Sequence, residues 1–109
     1  MHELAITESI VSAVIEHIGA AKVIRVRLTV GRLSGVAPDA VRFCFDVCTE
    51  GTALQGAMLD IVETSGRARC RDCRAEVELP GTIPLCPCGS ADLEVLGGQE
   101  LTINDVEVV

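Results

Sequence analysis

Four cysteines in two close pairs constrain this chain more than any other feature. They are Cys70, Cys73, Cys86 and Cys88, arranged as C-x2-C-x12-C-x-C. This spacing lets four thiolates converge on one tetrahedral ion with Zn–S bonds of about 2.3 Å, and Pro87 and Gly89 supply turn residues at the second pair. Two disulfides are the alternative. The amino terminus does not read as a secretory signal, so we expect a reducing compartment and favour a metal site.

Charge and aromatic content narrow the class of partner. The 109 residues include nine Lys or Arg against sixteen Asp or Glu, a net charge of −7, and the aromatic residues are Phe43 and Phe45. Nucleic-acid binding needs clustered basic side chains and aromatic stacking platforms. No apolar run approaches the roughly 18 residues of a membrane span. We therefore expect a cytoplasmic protein that binds proteins or small ions, and neither nucleic acid nor membrane.

Apolar periodicity predicts two helices and three strands outside the cysteine-rich segment. Helical spacing predicts helices over residues 4–18 and 38–49. Alternation of apolar and polar residues predicts strands over 23–30, 58–63 and 101–108. In the last strand the alternation loses register near Asn104 and Asp105, which predicts a β-bulge there.

The order of these elements predicts the domain organisation. The chain leaves one domain for a cysteine-rich lobe and then returns with a strand, which indicates an insertion. We expect an α+β fold, in which a small mixed α/β domain places two helices on a three- to four-stranded sheet and carries an inserted zinc-ribbon lobe. The first domain would comprise residues 1–65 plus 98–109, and the zinc-binding domain residues 66–97, with a flexible hinge at Gly97 and Gly98. Because the lobe is too short to fold on apolar burial alone, the ion should supply much of its stability.

The second predicted helix contains a further pair of cysteines. Cys44 and Cys48 are four residues apart on one helix face, a spacing that would suit two metal ligands. Together with Val41 and Phe45, however, they form the apolar stripe that a core-facing helix needs. Free cysteine is among the most buried residue types. We therefore expect both thiols to be buried and free of metal.

The first three residues, Met1, His2 and Glu3, form a candidate metal-binding terminus. The α-amine, the next amide nitrogen and the His2 imidazole would wrap one ion in adjacent chelate rings. Nitrogen-rich sites of this kind suit Ni(II) or Cu(II), and the carboxylate of Glu3 is close enough to join them. The alternative is that His2 is simply an exposed terminal residue.

Four segments together resemble the HypA/HybF family, the nickel-insertion accessory proteins of [NiFe]-hydrogenase maturation. The segments are MHELAI, VGRLSGV, EGTALQGAMLDI and the CxxC…CPCGS block, and they cover nearly the whole chain in order. The resemblance implies a nickel site on Met1, His2 and Glu3. It implies a structural zinc on the four paired cysteines, and a mixed α/β nickel-binding domain with a zinc ribbon inserted before its last strand.

The second cysteine pair departs from the family pattern. The family usually has CxxC here, whereas Cys86 and Cys88 enclose Pro87 alone. A C-x-C pair in extended backbone would place both sulfurs on one side, so coordination remains feasible with a different turn geometry. Many members also carry a His directly after a paired cysteine, where this chain has Arg74 and Gly89. A histidine-dependent change of zinc ligand is therefore not expected.

The functional hypothesis follows from these sites. We expect a metallochaperone that delivers Ni(II) during [NiFe]-hydrogenase maturation, with urease as another recipient. No nucleophile or general base forms a catalytic constellation, so we do not expect an enzyme. The resemblance implies two partners, the nickel-handling GTPase of the pathway and the hydrogenase large-subunit precursor. The rival hypotheses are a zinc-ribbon interaction module and a rubredoxin-like electron carrier, since four thiolates also hold iron.

Overall fold

The computed structural model describes residues 2–81 and 83–109, which form two helices and two three-stranded sheets. In chain order the elements are α1 (Glu3–Ile18), β1 (Val23–Gly31), α2 (Pro38–Cys48), β2 (Met58–Thr64), β3 (Gly66–Cys70), β4 (Glu76–Leu79), β5 (Leu93–Gly97) and β6 (Leu101–Val108). The predicted α+β class is confirmed, with three strands in the first sheet. Neither of these helices has the length and apolar character needed to span a membrane.

The first sheet has the order β2-β1-β6, with β1 parallel to β2 and antiparallel to β6. The parallel pair requires a crossover, which α2 provides. The predicted bulge is present: Arg27 pairs with Asp105 and Leu28 with Ile103, so Asn104 is left out of the strand pairing, although its side-chain amide donates to the Thr29 hydroxyl at 2.7 Å. The bulge restores the alternation, so that Ile103 shares the inner face with Leu28.

The hydrophobic core lies between this sheet and the two helices, which cover one sheet face. Its buried members come from α1, β1, α2 and the loop before β2: Ile10, Val11, Val14, Val23, Val26, Leu28, Val41, Phe45 and Leu54. The opposite face of the sheet carries charged pairs such as Arg27 Nη1 and Asp105 Oδ1, 2.9 Å apart. One apolar and one charged face are what the period-two pattern of β1 predicts.

The second sheet has the order β4-β3-β5, and all its strands are antiparallel. The lobe that contains this sheet has few buried apolar side chains among its described residues: Ala68, Cys70, Leu79 and Cys86. The strands begin at Gly66 and end at Gly97, the limits predicted for the metal lobe. That this lobe and the helical part fold as separate domains stays a prediction.

The junction between the two sheets is closely packed around three glycines, so the prediction of a flexible hinge is wrong. A Cβ atom at Gly31 would overlap the carbonyl group of Gly98. A Cβ atom at Gly98, whose φ is +95°, would overlap Gly66. Backbone therefore packs directly on backbone here, which only residues without a side chain allow.

Hydrogen bonds hold the same junction. The Leu33 amide donates to the Gly98 carbonyl at 2.7 Å. The Glu100 carboxylate accepts from the Gly98 amide at 2.8 Å and from the Thr64 hydroxyl at 2.7 Å. Both hydrogen bonds lower the pKa of Glu100, and the one from the Gly98 amide has the larger effect. The residues that enter and leave the second sheet are thus fixed to the first.

Candidate metal centre and amino-terminal site

The second sheet brings the four paired cysteines together at one end. Cys70 ends β3, Cys73 lies in the following turn, and Cys86 and Cys88 lie in the loop before β5. Their sulfur atoms all lie within 4.8 Å of one another. The Cys70–Cys88 sulfurs are 3.6 Å apart and the Cys73–Cys86 sulfurs 3.7 Å. Four Zn–S bonds of about 2.3 Å would place sulfurs roughly 3.8 Å apart, so the cluster has the dimensions of a tetrathiolate metal site.

The first cysteine pair lies in a tight turn shaped by the backbone. The Arg74 amide donates to the Cys70 carbonyl at 2.8 Å, and the Cys70 amide to the Ala75 carbonyl at 2.9 Å. The Cys73 amide points at the Cys70 sulfur, 3.4 Å away. Arg74 closes the turn with a φ of 63°, a left-handed conformation that is uncommon for a residue other than glycine. The turn therefore presents both sulfurs to the same side.

The second pair also lies in a turn, not in the extended backbone considered from the sequence. The Gly89 amide donates to the Cys86 carbonyl at 2.8 Å, and the Cys86 amide to the Ser90 carbonyl at 2.9 Å. Gly89 has a φ of 96°, which allows the chain to reverse directly after Cys88. A C-x-C pair is sufficient here because this reversal directs both sulfurs to the first turn.

Polar contacts that the sequence analysis missed brace the two turns against each other. The Arg71 amide donates to the Asp92 carbonyl at 3.0 Å, and its guanidinium to the Asp92 carboxylate at 2.9 Å. The Ser90 hydroxyl donates to the Asp72 carboxylate. A serine two residues before an aspartate is a turn signal in the sequence, but its partners across the lobe were not readable there.

The thiols of the cluster differ in acidity. The amide of Cys73 is the largest cause of a lowered pKa at Cys70, about 6. At Cys86 the Cys88 amide lowers the pKa, but burial and the neighbouring thiols outweigh it and raise the pKa to about 12. One thiolate thus forms readily near neutral pH. Deprotonation of the whole cluster needs the positive charge of a cation, as expected for a metal-binding set.

The amino-terminal residues adjoin the start of α2. His2 is exposed and precedes α1, and its carbonyl accepts the Ile6 amide at 3.0 Å. The Glu3 carboxylate accepts the Ala37 amide at 3.1 Å. This hydrogen bond is the largest cause of a lowered pKa at Glu3. An ionised carboxylate is therefore held at the amino end of α2, beside an accessible imidazole.

The predicted nickel set is described only in part, because Met1 lies outside the described residues. Across residues 2–81 and 83–109, the four-cysteine cluster is the only group of three or more His, Cys, Asp or Glu side chains with metal-binding geometry. The ligand set of Met1, His2 and Glu3 therefore stays a prediction.

Cys44 and Cys48 are less deeply placed than predicted. Both are half-buried, and Cys48 packs at the edge of the core. Burial, followed by the nearby Glu8 carboxylate and Cys44, raises the pKa of Cys48. The stripe with Val41 and Phe45 faces inward as expected, but the two thiols lie at its margin. The prediction that both are buried is wrong in this respect.

Comparison with known proteins matches almost the whole chain to one family. The family profile described as hydrogenase/urease nickel incorporation, metallochaperone, HypA matches residues 1–108. The hydrogenase maturation factor HypA of Nostoc punctiforme is 50% identical over 108 residues, covering 99% of this chain and 96% of its own. That of Geotalea uraniireducens is 45% identical over 109 residues, covering 99% of both chains.

A solved structure supports the fold. The solution structure of the nickel metallochaperone HypA from Helicobacter pylori superposes with a TM-score of 0.66 at 23% identity. The match covers 100% of this chain and 98% of the other.

Proposed function

The chain belongs to the HypA family of metallochaperones for nickel incorporation into hydrogenase and urease, and from this premise we propose that it binds Ni(II) at its amino terminus and delivers it during [NiFe]-hydrogenase maturation. Urease is a second recipient to be tested. The observation that carries the proposal is the placement of the terminus, with the exposed His2 preceding α1 and Glu3 fixed to the start of α2.

The proposed nickel ligands are Met1, His2 and Glu3. The amine of Met1, with the amide and imidazole of His2, would supply the nitrogen donors that Ni(II) favours in a tetragonal site. The Ala37 amide keeps the Glu3 side chain near this terminus and favours its charged form. Because the site lies at one end of the chain, an acceptor would be able to replace the ligands one at a time.

We assign the second metal to the four paired cysteines, as a structural zinc. Sulfur–sulfur distances of 3.6 and 3.7 Å and two hydrogen-bonded turns support a closed tetrahedral site. The lobe has few buried apolar side chains of its own, so the ion would act as its principal cross-link. A closed site of this kind leaves no open coordination position for chemistry.

The carrier requires partners from the maturation machinery. We propose the nickel-handling GTPase as one and the hydrogenase large-subunit precursor as the other, with the encounter taking place in the cytoplasm. The role is transfer of an ion and not catalysis. The negative net charge of −7 supports protein partners and argues against nucleic acid or an anionic membrane surface.

Calorimetric titration of Ni(II) into the zinc-loaded, untagged protein tests the terminal site. Extending the amino terminus by two residues should remove high-affinity binding, because the chelate loses its terminal nitrogen. His2→Ala should do the same without loss of zinc. His17→Ala is the matched control, since His17 is the other exposed histidine and lies at the far end of α1. Equal affinity in all four proteins would place the nickel site elsewhere.

Glu3 calls for two substitutions, because it has both a contact and a charge. Glu3→Gln retains an oxygen able to accept the Ala37 amide, whereas Glu3→Ala removes the hydrogen bond as well. If the carboxylate binds nickel, both variants should weaken Ni(II) affinity. If Glu3 only positions the terminus, Glu3→Gln should titrate like the unmodified protein.

Metal analysis of the untagged protein separates the rival functions. One zinc plus one nickel after nickel challenge supports delivery. Zinc alone would favour the interaction module, and bound iron with its red colour would favour the electron carrier.

A further inference from the structure

An apolar groove of about 500 Å³ runs along the outer side of the two helices. We call it the helix-pair groove. Its apolar walls are formed by Leu4, Val11 and Ile15 of α1 and by Val47 and Cys48 of α2. It lies away from the paired cysteines and begins two residues after His2.

The apolar side chains around this groove are unusually exposed. Val47 retains 53% of its accessible surface and Leu4 51%. Phe43, one helical turn before Val47 on the same side of α2, is 72% exposed. Single exposed apolar residues are ordinary, but several that line one groove mark an interaction surface, and Phe43 lies one turn beyond its lining residue Val47.

The charged residue that lines the groove is an acid, and the two helices that form it carry more acids than bases. Across both helices there are five carboxylates, at Glu3, Glu8, Glu16, Asp39 and Asp46, against one Arg, Arg42, and one histidine in the last turn of α1, His17. Glu8 lines the groove itself. Arg42 points elsewhere, donating to the Leu59 carbonyl at 3.0 Å. The other eight of the nine Lys and Arg residues lie outside the helices.

A second apolar groove provides a contrast within the same molecule. It lies between α1 and β6, has a volume of about 460 Å³, and is lined by residues including Ile6, Ile10 and Ile103. None of its lining residues is charged. Charge complementarity therefore identifies an occupant for the helix-pair groove alone.

We propose that the helix-pair groove binds a basic amphipathic helix of a partner protein. Two neighbouring helices form ridges between which a third helix packs, with apolar anchors spaced three and four residues apart. Lys or Arg beside that apolar stripe would meet Glu8, the carboxylate that lines the groove. The proposal gives the chemical class of a partner for the nickel carrier. It rests on the proposed function in one respect only: one end of the docked helix would lie beside the nickel-binding terminus.

A pair of synthetic peptides tests the proposal on the full-length, zinc-loaded protein without nickel. Each peptide has about five helical turns and a Leu stripe, flanked by Lys in one and by Glu in the other. Fluorescence anisotropy should detect binding of the Lys peptide, and binding of the Glu peptide should be at least about tenfold weaker. The affinity for the Lys peptide should also fall with added salt.

Exposed substitutions locate the site. Phe43→Ser and Glu8→Lys should each lower the affinity for the Lys peptide roughly tenfold. Matched controls are Val62→Ser, an apolar residue on β2 that is as exposed as Val47, and Glu94→Lys, an exposed acid on β5. If Phe43→Ser does not fold, Val47→Ser replaces it. The bound peptide should also slow alkylation of Cys48, which lines the groove, as read by mass spectrometry of the modified residue.

The proposal would be overturned by equal affinity for the two peptides, or by site and control variants behaving alike. Concentration-dependent dimerisation that Phe43→Ser abolishes would also overturn it, by making a second copy the occupant. Peptide binding should persist in His2→Ala. A failure of nickel binding can therefore be distinguished from a failure of peptide binding at the groove.

Discussion

The helical part and the cysteine lobe of this chain are held together by different means. In the helical part, nine buried apolar residues from four segments form one continuous core. Among the described residues of the lobe, four apolar residues are buried, and two of those are cysteines of the metal cluster. Hydrogen-bonded turns and short antiparallel pairings account for the remainder of the lobe.

This difference matters for a metal carrier. A core that does not depend on metal can hold its terminal site in place whether or not nickel is bound. A lobe that depends on a tetrathiolate metal is stable only while that metal stays. The two metal functions would therefore be separable by substitution. The most informative variants change one part of the molecule while the stability of the other part is measured.

The largest effect is expected from removing the metal cross-link. Cys86→Ser should abolish stoichiometric zinc and unfold the lobe, because structural zinc contributes on the order of 10 kcal/mol in small domains. NMR spectra should lose the dispersed signals of β3, β4 and β5 while those of α1 and α2 persist. Cys44→Ser, outside the cluster, is the control. Loss of the helices together with the lobe would show that the two parts do not fold separately.

The converse substitution removes apolar volume from the helical part. Leu54 is fully buried in its core, so Leu54→Ala should lower the free energy of unfolding by about 2–5 kcal/mol. Urea denaturation followed by far-UV circular dichroism measures this, and a zinc assay should find the metal still bound below the transition. Exposed Leu85→Ala in the lobe is a matched control with little expected effect. Release of zinc before the helices unfold would contradict the separation.

Much of this architecture was predictable because its signals are local. The paired spacing of Cys70, Cys73, Cys86 and Cys88 predicted their convergence. Alternation along β1 predicted its apolar face from Val26 to Val30, but wrongly placed Ile24 there, since Ile24 is exposed and Val23 is buried. The lost register at Asn104 predicted the bulge. In each case a short stretch of chain carries the physical cause.

The features that sequence reasoning missed depend on distant residues. Two adjacent glycines suggest freedom of movement, but Gly98 is confined by Gly31 and Gly66. The contact between Glu3 and Ala37 spans 34 residues and has no local signature. How deeply the side chains on one face of a helix are buried also depends on the elements packed against that face. The ligands of both metals remain predictions that titration must test.

The glycine junction is where the two parts meet, and a single methyl group tests its tightness. Gly31→Ala should destabilise the protein by about 1–3 kcal/mol, because the new Cβ would overlap the Gly98 backbone, which has little room to move. Thermal denaturation measures the loss. Gly81→Ala is the control, since no atom lies near a Cβ added there. Equal stability of the two variants would indicate that the junction is loosely packed, as the prediction of a flexible hinge requires.

The smallest expected effect concerns the charge that fastens this junction. The lowered pKa of Glu100 means that its carboxylate stabilises the fold fully above the unfolded-state value near 4.5, and that this contribution is lost as pH falls through the lower folded-state value. Glu100→Gln keeps one oxygen for the Gly98 amide and an amide group able to donate to Thr64, so the variant should fold. Hydrogen exchange at the Leu33 amide, which donates to Gly98, should be faster in the variant at pH 7, and the difference should shrink on acidification. Glu78→Gln, on the exposed side of β4, should leave this exchange unchanged. A difference that grows at low pH would mean that the carboxylate is not what holds the lobe to the helical part.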